Sequence, residues 1–295
     1  ASRFVAVGWS HACAVGADGY VQCWGYNSDE QTDVPNDLGI ALGVSVGWLH
    51  GCAILQDQTV RCWGDGGYGQ TAVPDGLSDV VSMDSRKFHT CALRSDGTVE
   101  CWGLNNNGEC DVPDGLGFVV SVSTGNDYSC ALNSEGWATC WGKENKMYSE
   151  VPEVYNGNKV SISSGMAHNC VLDRDGSVSC WGGWTSGESE VPDDLGRVSS
   201  LALGMSHTCV LLVNGDVRCW GGDSNGESSP PADLEAVVAI ASGGDLTCAI
   251  DADRELRCWG NNTYGQATPP NDTRSVEFLS VSEDHGCVIK SDGTI

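Results

Sequence analysis

The residues of this chain best able to do chemistry are its cysteines and histidines, and both sets fall on a fixed spacing. Seven cysteine pairs share a C-x9-C interval: Cys13/Cys23, Cys52/Cys62, Cys91/Cys101, Cys130/Cys140, Cys170/Cys180, Cys209/Cys219 and Cys248/Cys258. Thiols so arranged could hold zinc or close covalent bridges. Zinc favours knuckles with two to four residues between cysteines, and the chain has none. The pairs are therefore read as disulfides, and no metal or other cofactor is expected. All six histidines, His11, His50, His89, His168, His207 and His285, stand two residues before the first cysteine of a hairpin, with Tyr128 and Leu246 in the same phase elsewhere. Imidazoles in register could carry protons or a metal. Their repetition, and the Leu that replaces one, point instead to structural hydrogen bonding.

The elements that must position these residues follow from the period. First cysteines recur at Cys13, Cys52, Cys91, Cys130, Cys170, Cys209, Cys248 and Cys287, every 39 residues with one interval of 40. A period near 40 marks supersecondary units that bury their apolar faces only against neighbours. At its clearest the unit runs Val80-Val81-Ser82-Met83, His89-Thr90-Cys91-Ala92-Leu93, Arg94-Ser95-Asp96-Gly97, Thr98-Val99-Glu100-Cys101-Trp102-Gly103. Short β-branched runs separated by Asp-Gly read as strands joined by tight turns, with Gly supplying the positive φ. Cys91 and Cys101 sit symmetrically about Asp96, so the folded hairpin sets them opposite each other, within reach of a bridge.

Two cysteines are left over. Cys110 lies in a loop where neighbouring units have Thr or Ser, and the partner of Cys287 is expected two residues past Ile295, so the chain is read as stopping inside its eighth hairpin. Either could form an intermolecular link, and Cys110 could also stay free or reach Cys287. Each hairpin's second cysteine is followed by Trp and Gly, at Trp24, Trp63, Trp102, Trp141, Trp181, Trp220 and Trp259. These indoles are read as core packed between neighbouring units. A proline follows eleven residues on, at Pro35, Pro74, Pro113, Pro152, Pro192, Pro231 and Pro270. Lacking an N–H, it implies an edge strand or the bend into the next unit.

Between Trp-Gly and the proline lies a loop of constant length and changing content. Loops on a rigid repeat scaffold are where recognition resides, so Tyr26, Tyr68, Tyr148, Trp184 and Tyr264 are the candidate binding residues; the alternative is that their rings pack on adjacent loops. Trp9 and Trp48 precede histidines in a second loop and could belong to either face. Sequons at Asn261 and Asn271 are candidate glycosylation sites in a eukaryotic secreted protein. The Asp173/Asp175 and Asp251/Asp253 pairs are too sparse for a calcium loop.

With 40 acidic against 15 basic residues, the formal charge of −25 repels nucleic acid and anionic lipid. No run of 18 apolar residues exists, so membrane insertion is not expected. The cysteine content suits an oxidising compartment, and the Ala1-Ser2-Arg3 start suits a mature exported chain. No nucleophile, base or carboxylate pair stands out from the repeat, so the protein is read as not an enzyme.

The unit G-x-x-H-x-C-A-L-x-x-D-G-x-V-x-C-W-G-x-N-x-x-G-Q-x-x-V-P resembles the repeat of the regulator-of-chromosome-condensation propeller family, and is most like its compact bacterial branch, the β-lactamase inhibitor protein II type. The resemblance spans the chain. It implies an all-β β-propeller of seven to eight blades, with one disulfide-bridged hairpin per blade, as a single domain over 1–295 (units 4–42, 43–81, 82–120, 121–160, 161–199, 200–238, 239–277 and a partial 278–295). Seven blades, closed by mixing first and last strands, are usual in the family. Paired cysteines are not general there and suggest an exported branch. The acidity and lack of a basic tail argue against chromatin binding. The leading expectation is a secreted binding module that recognises an extracellular protein or glycan through variable loops on one face. The alternative is a structural extracellular subunit that assembles with copies of itself or other chains.

Overall fold

The computed structural model describes residues 4–143, 150–152, 157–183, 185–270 and 273–295. They are all β and turn, without helix, and form two compact units of four propeller blades each. In the first unit, blade 1 has strands Phe4–Val7, His11–Val15 and Val21–Gly25, and blade 2 has Ala41–Val46, His50–Leu55 and Val60–Gly64. Blade 3 has Val80–Arg86, His89–Arg94 and Val99–Gly103, and blade 4 has Val119–Thr124, Tyr128–Asn133 and Ala138–Gly142. In the second unit, blade 5 has Lys159–Ser164, His168–Asp173 and Val178–Gly182, and blade 6 has Val198–Leu203, His207–Leu212 and Val217–Gly221. Blade 7 has Val237–Gly243, Leu246–Asp251 and Leu256–Gly260, and blade 8 has Val276–Val281 and Gly286–Lys290. Strands lie in sequence order and antiparallel within each blade.

The hairpin of blade 3 shows why the sequence folds this way. Arg94 N–H donates to Thr98 O at 2.9 Å and Gly97 N–H to Arg94 O at 2.9 Å. Gly97 turns the chain at φ 81°. Asp96 Oδ1 accepts from Thr98 N–H and Oγ1–H at 3.0 and 2.6 Å, which holds its carboxyl below the usual carboxylate range. Closing the turn sets Cys91 directly opposite Cys101.

All seven C-x9-C pairs are bridged, with Cα atoms 4.0–4.1 Å apart: Cys13–Cys23, Cys52–Cys62, Cys91–Cys101, Cys130–Cys140, Cys170–Cys180, Cys209–Cys219 and Cys248–Cys258. Hairpin symmetry treats the two cysteines of a pair alike, and the structure separates them. The first is buried on the middle strand of its blade, whereas Cys23, Cys62, Cys101, Cys140, Cys219 and Cys258, on third strands, are only half-buried; Cys180 alone of the third-strand set is buried. Third-strand cysteines face the following blade, where Cys23, Cys62, Cys101, Cys180 and Cys219 each pack with that blade's tryptophan cluster. The expectation of one bridge per blade fails only at blade 8. There Cys287 is half-buried on the middle strand, and the two-stranded sheet offers no opposing third strand among the described residues.

Middle strands of the seven three-stranded blades are buried along their first five residues, so both faces pack. Within each unit the third-strand tryptophan fills the joint with the preceding blade. Trp102 packs with Cys52, Ile54, Leu77 and Val80, and its Nε1–H donates to Gln70 O at 3.1 Å. Replacing Trp102 by Ala removes that packing and the donor together. The expected cost is about 3–5 kcal/mol, against within about 0.5 kcal/mol for Tyr20→Ala on the exposed turn; denaturant midpoints of the two variants check it.

Two further sequence expectations change in detail. The prolines lie in no strand: Pro35, Pro74 and Pro231 open turns closed by Leu38, Leu77 and Leu234 N–H at 3.0–3.2 Å. Leu38 and Leu77 then drop into the next blade's core. Blades also begin two residues before the units read from sequence, at Ala41, Val80, Val119, Lys159, Val198, Val237 and Val276. Those first strands open on a bulge, as between Val80 and Ser82, and no register shift occurs in blade 1, which set the frame.

Candidate functional site

Strand direction decides which loops share an end of a blade. The first strand runs to the turn before the histidine, the middle strand returns to the Asp-Gly turn, and the third strand runs back. The pre-histidine turn and the variable loop therefore emerge together. Backbone bonds tie them: Tyr26 N–H to Ser10 O, Asp65 N–H to Leu49 O, Leu104 N–H to Phe88 O and Lys143 N–H to Asp127 O, all at 2.8–2.9 Å. Trp9 and Trp48 thus lie at the same blade ends as Tyr26 and Tyr68.

In the first unit these ends carry a continuous aromatic track. Trp9 and Trp48 rings are 5.4 Å apart, Trp48 meets Phe88 edge-on at 5.4 Å, and Phe88 meets Tyr68 at 5.1 Å. Trp9 and Tyr68 keep 45% and 53% of their surface exposed. Lys87 Nζ lies 5.8 Å from the Trp48 ring centroid, within cation–π range. It pairs with Asp127, which Lys143 approaches to 3.6 Å. A cationic edge thus borders the track in a chain of strongly negative charge.

The loop that presents Tyr68 is fixed from beneath. Gln70 is fully buried; its Oε1 accepts from Tyr68 N–H at 2.8 Å and its Nε2–H donates to Asp65 Oδ2 at 2.9 Å. Asp65 Oδ1 accepts from Gly67 N–H at 2.8 Å. The device repeats with Gln31, Glu109, Glu188 and Glu227, each buried and each accepting from the backbone N–H two residues earlier. These buried side chains and Phe88 were not singled out by the sequence reading. The Gln or Glu four residues before six of the seven repeat prolines, and the position next to the histidine, were the available signals.

The other candidates divide. Tyr26 is exposed at the corresponding end of blade 1, next to but outside the ring contacts. Tyr264 is 82% exposed in the second unit. Tyr148, Trp184 and Asn271 lie outside the described residues. Asn261 turns its side-chain oxygen onto Thr263 N–H and Oγ1–H at 3.0 and 2.7 Å. Cys110 is half-buried, its thiol donating to Leu104 O at 3.3 Å as Ser228 Oγ–H does to Gly222 O at 2.6 Å. Burial pushes that thiol up to about 12.

The histidines link blades. Nε2 of His50, His89, His168 and His207 meets a hydroxyl of the next blade, Thr90, Ser129, Thr208 or Thr247, at 2.7–3.0 Å. Ser129 and Thr208 give their own protons to Glu109 O and Glu188 O, so they accept from imidazole N–H and fix the tautomer as Nε2–H. Burial lowers His50 to about 3, and His89 and His207 to about 4. Neutral, enclosed imidazoles of this kind hold blades together. No group of three metal-ligating side chains occurs among the described residues, nor does a helix long and apolar enough to cross a membrane.

Comparisons with known proteins follow the repeat. The model of the Regulator of chromosome condensation (RCC1) repeat matches residues 3–31, 43–70, 87–109, 198–227 and 237–266, just under half of the chain. No curated protein sequence matches. Among solved structures, the ectodomain of the Physcomitrella patens receptor kinase CR4 is 25% identical with a TM-score of 0.67, covering 87% of this chain and 73% of that one. The CRINKLY WD40 ectodomain of the Arabidopsis thaliana receptor kinase ACR4 is 23% identical with a TM-score of 0.64, covering 87% and 94%. Saccharomyces cerevisiae Prp20p, described with its binding to Gsp1p and histones, is 17% identical with a TM-score of 0.65, covering 88% and 85%. The chain carries repeats of the RCC1 type and has the RCC1-like β-propeller fold.

Proposed function

We propose that this protein is a secreted, non-enzymatic binding module that recognises an extracellular protein or glycan through the loop ends of its blades. The observation that carries the reading is the track Trp9, Trp48, Phe88 and Tyr68, partly exposed, with the Tyr68 loop pinned by buried Gln70 and the turns of the other three tied by backbone hydrogen bonds. Rigid aromatics lose little conformational freedom on binding and dominate interface energetics. Lys87 and Lys143 share Asp127 beside Trp48 and leave one net positive charge there, where a carboxylate or sulfate of a partner would pair. Seven disulfides support an oxidising compartment, and two of the similar structures are receptor ectodomains. An inhibitor-like use of the loop ends is the finer form suggested by the likeness to the bacterial β-lactamase inhibitor type.

Exposed aromatics also occur at the opposite blade ends, at Tyr20 and Trp137, where they stand apart from the described ring contacts, and they make the control. Extracellular fractions and a glycan array are probed with wild type, Trp48→Ala/Tyr68→Ala and Tyr20→Ala/Trp137→Ala. The first double variant is expected to lose about 2 kcal/mol or more, roughly 30-fold in affinity, and the second to bind as wild type. Equal binding by all three would remove the loop ends from the interface.

A further inference from the structure

One cavity of the first unit opens at the Asp-Gly turn ends of its blades, away from the variable loops. It is a groove of about 340 Å³ between the first strands of blades 2 and 3, with Phe4 of blade 1 in its lining. Leu42, Ile54, Val81 and Met83 make most of its wall, and Leu42 and Val81 keep 44% and 50% of their surface exposed. Gly43 leaves it open. That glycine sits opposite Ile54, in the phase where blades 1 and 8 carry Phe4 and Phe278, opposite Val15 and Ile289. A Cβ built on Gly43 meets nothing within 4 Å.

The polar side chains of the lining are few: Ser45, Ser82 and Gln58. Gln58 takes φ 64° at the turn position where blades 1 and 3 have Gly19 and Gly97, and Arg254 of blade 7 does the same. A left-handed backbone strains any residue with a Cβ, and such strain collects where a side chain is needed. The blade seam holds it there: Gln58 N–H donates to Leu55 O at 2.9 Å, and its carbonyl accepts Val80 N–H at 3.0 Å. With both backbone groups committed, the amide is what this position gains over glycine.

The surrounding turn ends are acidic. Asp57 precedes Gln58 and Asp79 precedes Val80, both exposed, and Asp18 and Asp96 hold the phase of Asp57 in blades 1 and 3. Asp57 Oδ1 accepts Thr59 N–H and Oγ1–H at 3.1 and 2.6 Å, which fixes the carboxylate. Arg94 stands 4.0 Å from Asp79. In a chain of charge −25 this field draws cations to the groove and repels apolar anions. The volume is at the lower end of small-molecule pockets, and suits one ring or a short alkyl chain.

We propose that this groove binds a small organic cation of the alkyl- or aryl-ammonium class. Its apolar body lies against Leu42, Ile54, Val81 and Met83, and its ammonium group sits at the mouth beside Asp57 and Asp79, donating to the Gln58 amide oxygen. The site is separate from the aromatic track at the other blade ends and does not rest on the loop-end reading.

The test titrates the 295-residue chain, isotopically labelled at its methionine methyls, with phenylbutylamine and separately with phenylbutyrate, which has the same apolar body and the opposite charge. Met83 lines the groove, whereas Met166 and Met205 belong to the second unit and serve as internal references. The amine is expected to shift the Met83 signal saturably while the references stay still, with a Kd at least about tenfold below that of the butyrate. Gly43→Phe, which installs the residue of blades 1 and 8, should close the groove and abolish the shift. Gln58→Gly relieves the turn and removes the amide, so it should melt higher than wild type yet bind the amine at least about fivefold more weakly; a merely structural Gln58 would change only the melting. No saturable shift at Met83, equal affinity for amine and butyrate, or amine binding that survives both Gly43→Phe and Gln58→Gly overturns the proposal. So does a lysine-rich peptide with one phenylalanine that displaces the amine at lower concentration, since the occupant is then a side chain of a basic partner.

Discussion

Reduction of the seven bridges is expected to leave neither unit folded at ambient temperature. Each bridge closes an eleven-residue loop within one hairpin, and in the chain-entropy account a loop of that length removes about 2.7 kcal/mol of unfolded-state freedom. Four bridges in the first unit and three in the second thus supply on the order of 8–11 kcal/mol apiece, comparable to the whole net stability of an ordinary domain. The first cysteine of each pair is 0–2% exposed, and third-strand partners such as Cys23, Cys62 and Cys219 pack on the next blade, so reductant attacks the bridges in line only when a blade opens. Native protein in dithiothreitol should therefore keep its bridges for long periods, whereas protein reduced in denaturant should fail to regain its sheet spectrum on dilution. Removing one bridge, by Cys91→Ala/Cys101→Ala, is expected to lower the denaturation temperature of the first unit by roughly 5–10 °C. A reduced protein that melts where the oxidised one does would show that packing alone holds the blades.

The second large effect is with pH. His50, His89 and His207 have their pKa values depressed by burial to about 3, 4 and 4, against an ordinary 6.5. Below pH 6.5 the unfolded chain takes up protons at these sites and the folded chain does not, so stability falls as pH drops toward 4. At pH 4 each site forfeits about 3 kcal/mol, an upper figure because local opening lets water reach the ring. Two of the three lie in the first unit, which should therefore be the more acid-sensitive. Asp84 works in the opposite direction. Burial raises its pKa while its Oδ2 accepts Thr124 N–H and Oγ1–H, so its contribution favours lower pH and offsets part of the loss. Melting curves between pH 7 and pH 4 should show a steep decline that His89→Gln flattens. A stability independent of pH over that range would mean the imidazoles titrate normally.

What the sequence made legible was whatever repeats. The bridges, the Asp-Gly turns and the tryptophan joints recur at fixed phase, and period plus hairpin symmetry places each partner. The unequal burial of the two cysteines in a pair was not legible, because it depends on which face the next blade covers. The end to which Trp9 and Trp48 belong was left open by the sequence, and the three-stranded meander decides it, because it brings its first turn and its exit to one end. The track itself was not legible. Phe88 and Lys87 break the pattern of their phase, and their meeting with Trp48 and Tyr68 depends on neighbouring blades leaning together, which no local signal encodes. Glu109, Glu188 and Glu227 resemble loop acids, and only the fold shows that they are buried beneath the loops. The prolines gave a choice between strand and bend, and the leucine three residues on decides it by dropping into the core.

The tryptophan joint packs on core side chains and hydrogen-bonds its neighbour through a main-chain oxygen, and the oxygen that pins each loop can come from an amide or an acid, as Gln70 and Glu109 show. The side chains at the tip of a variable loop thus take no part in the tryptophan joints. Mutational drift there is uncoupled from folding, so a lineage could retarget one blade at a time, or exchange whole blades by recombination, without renegotiating the scaffold.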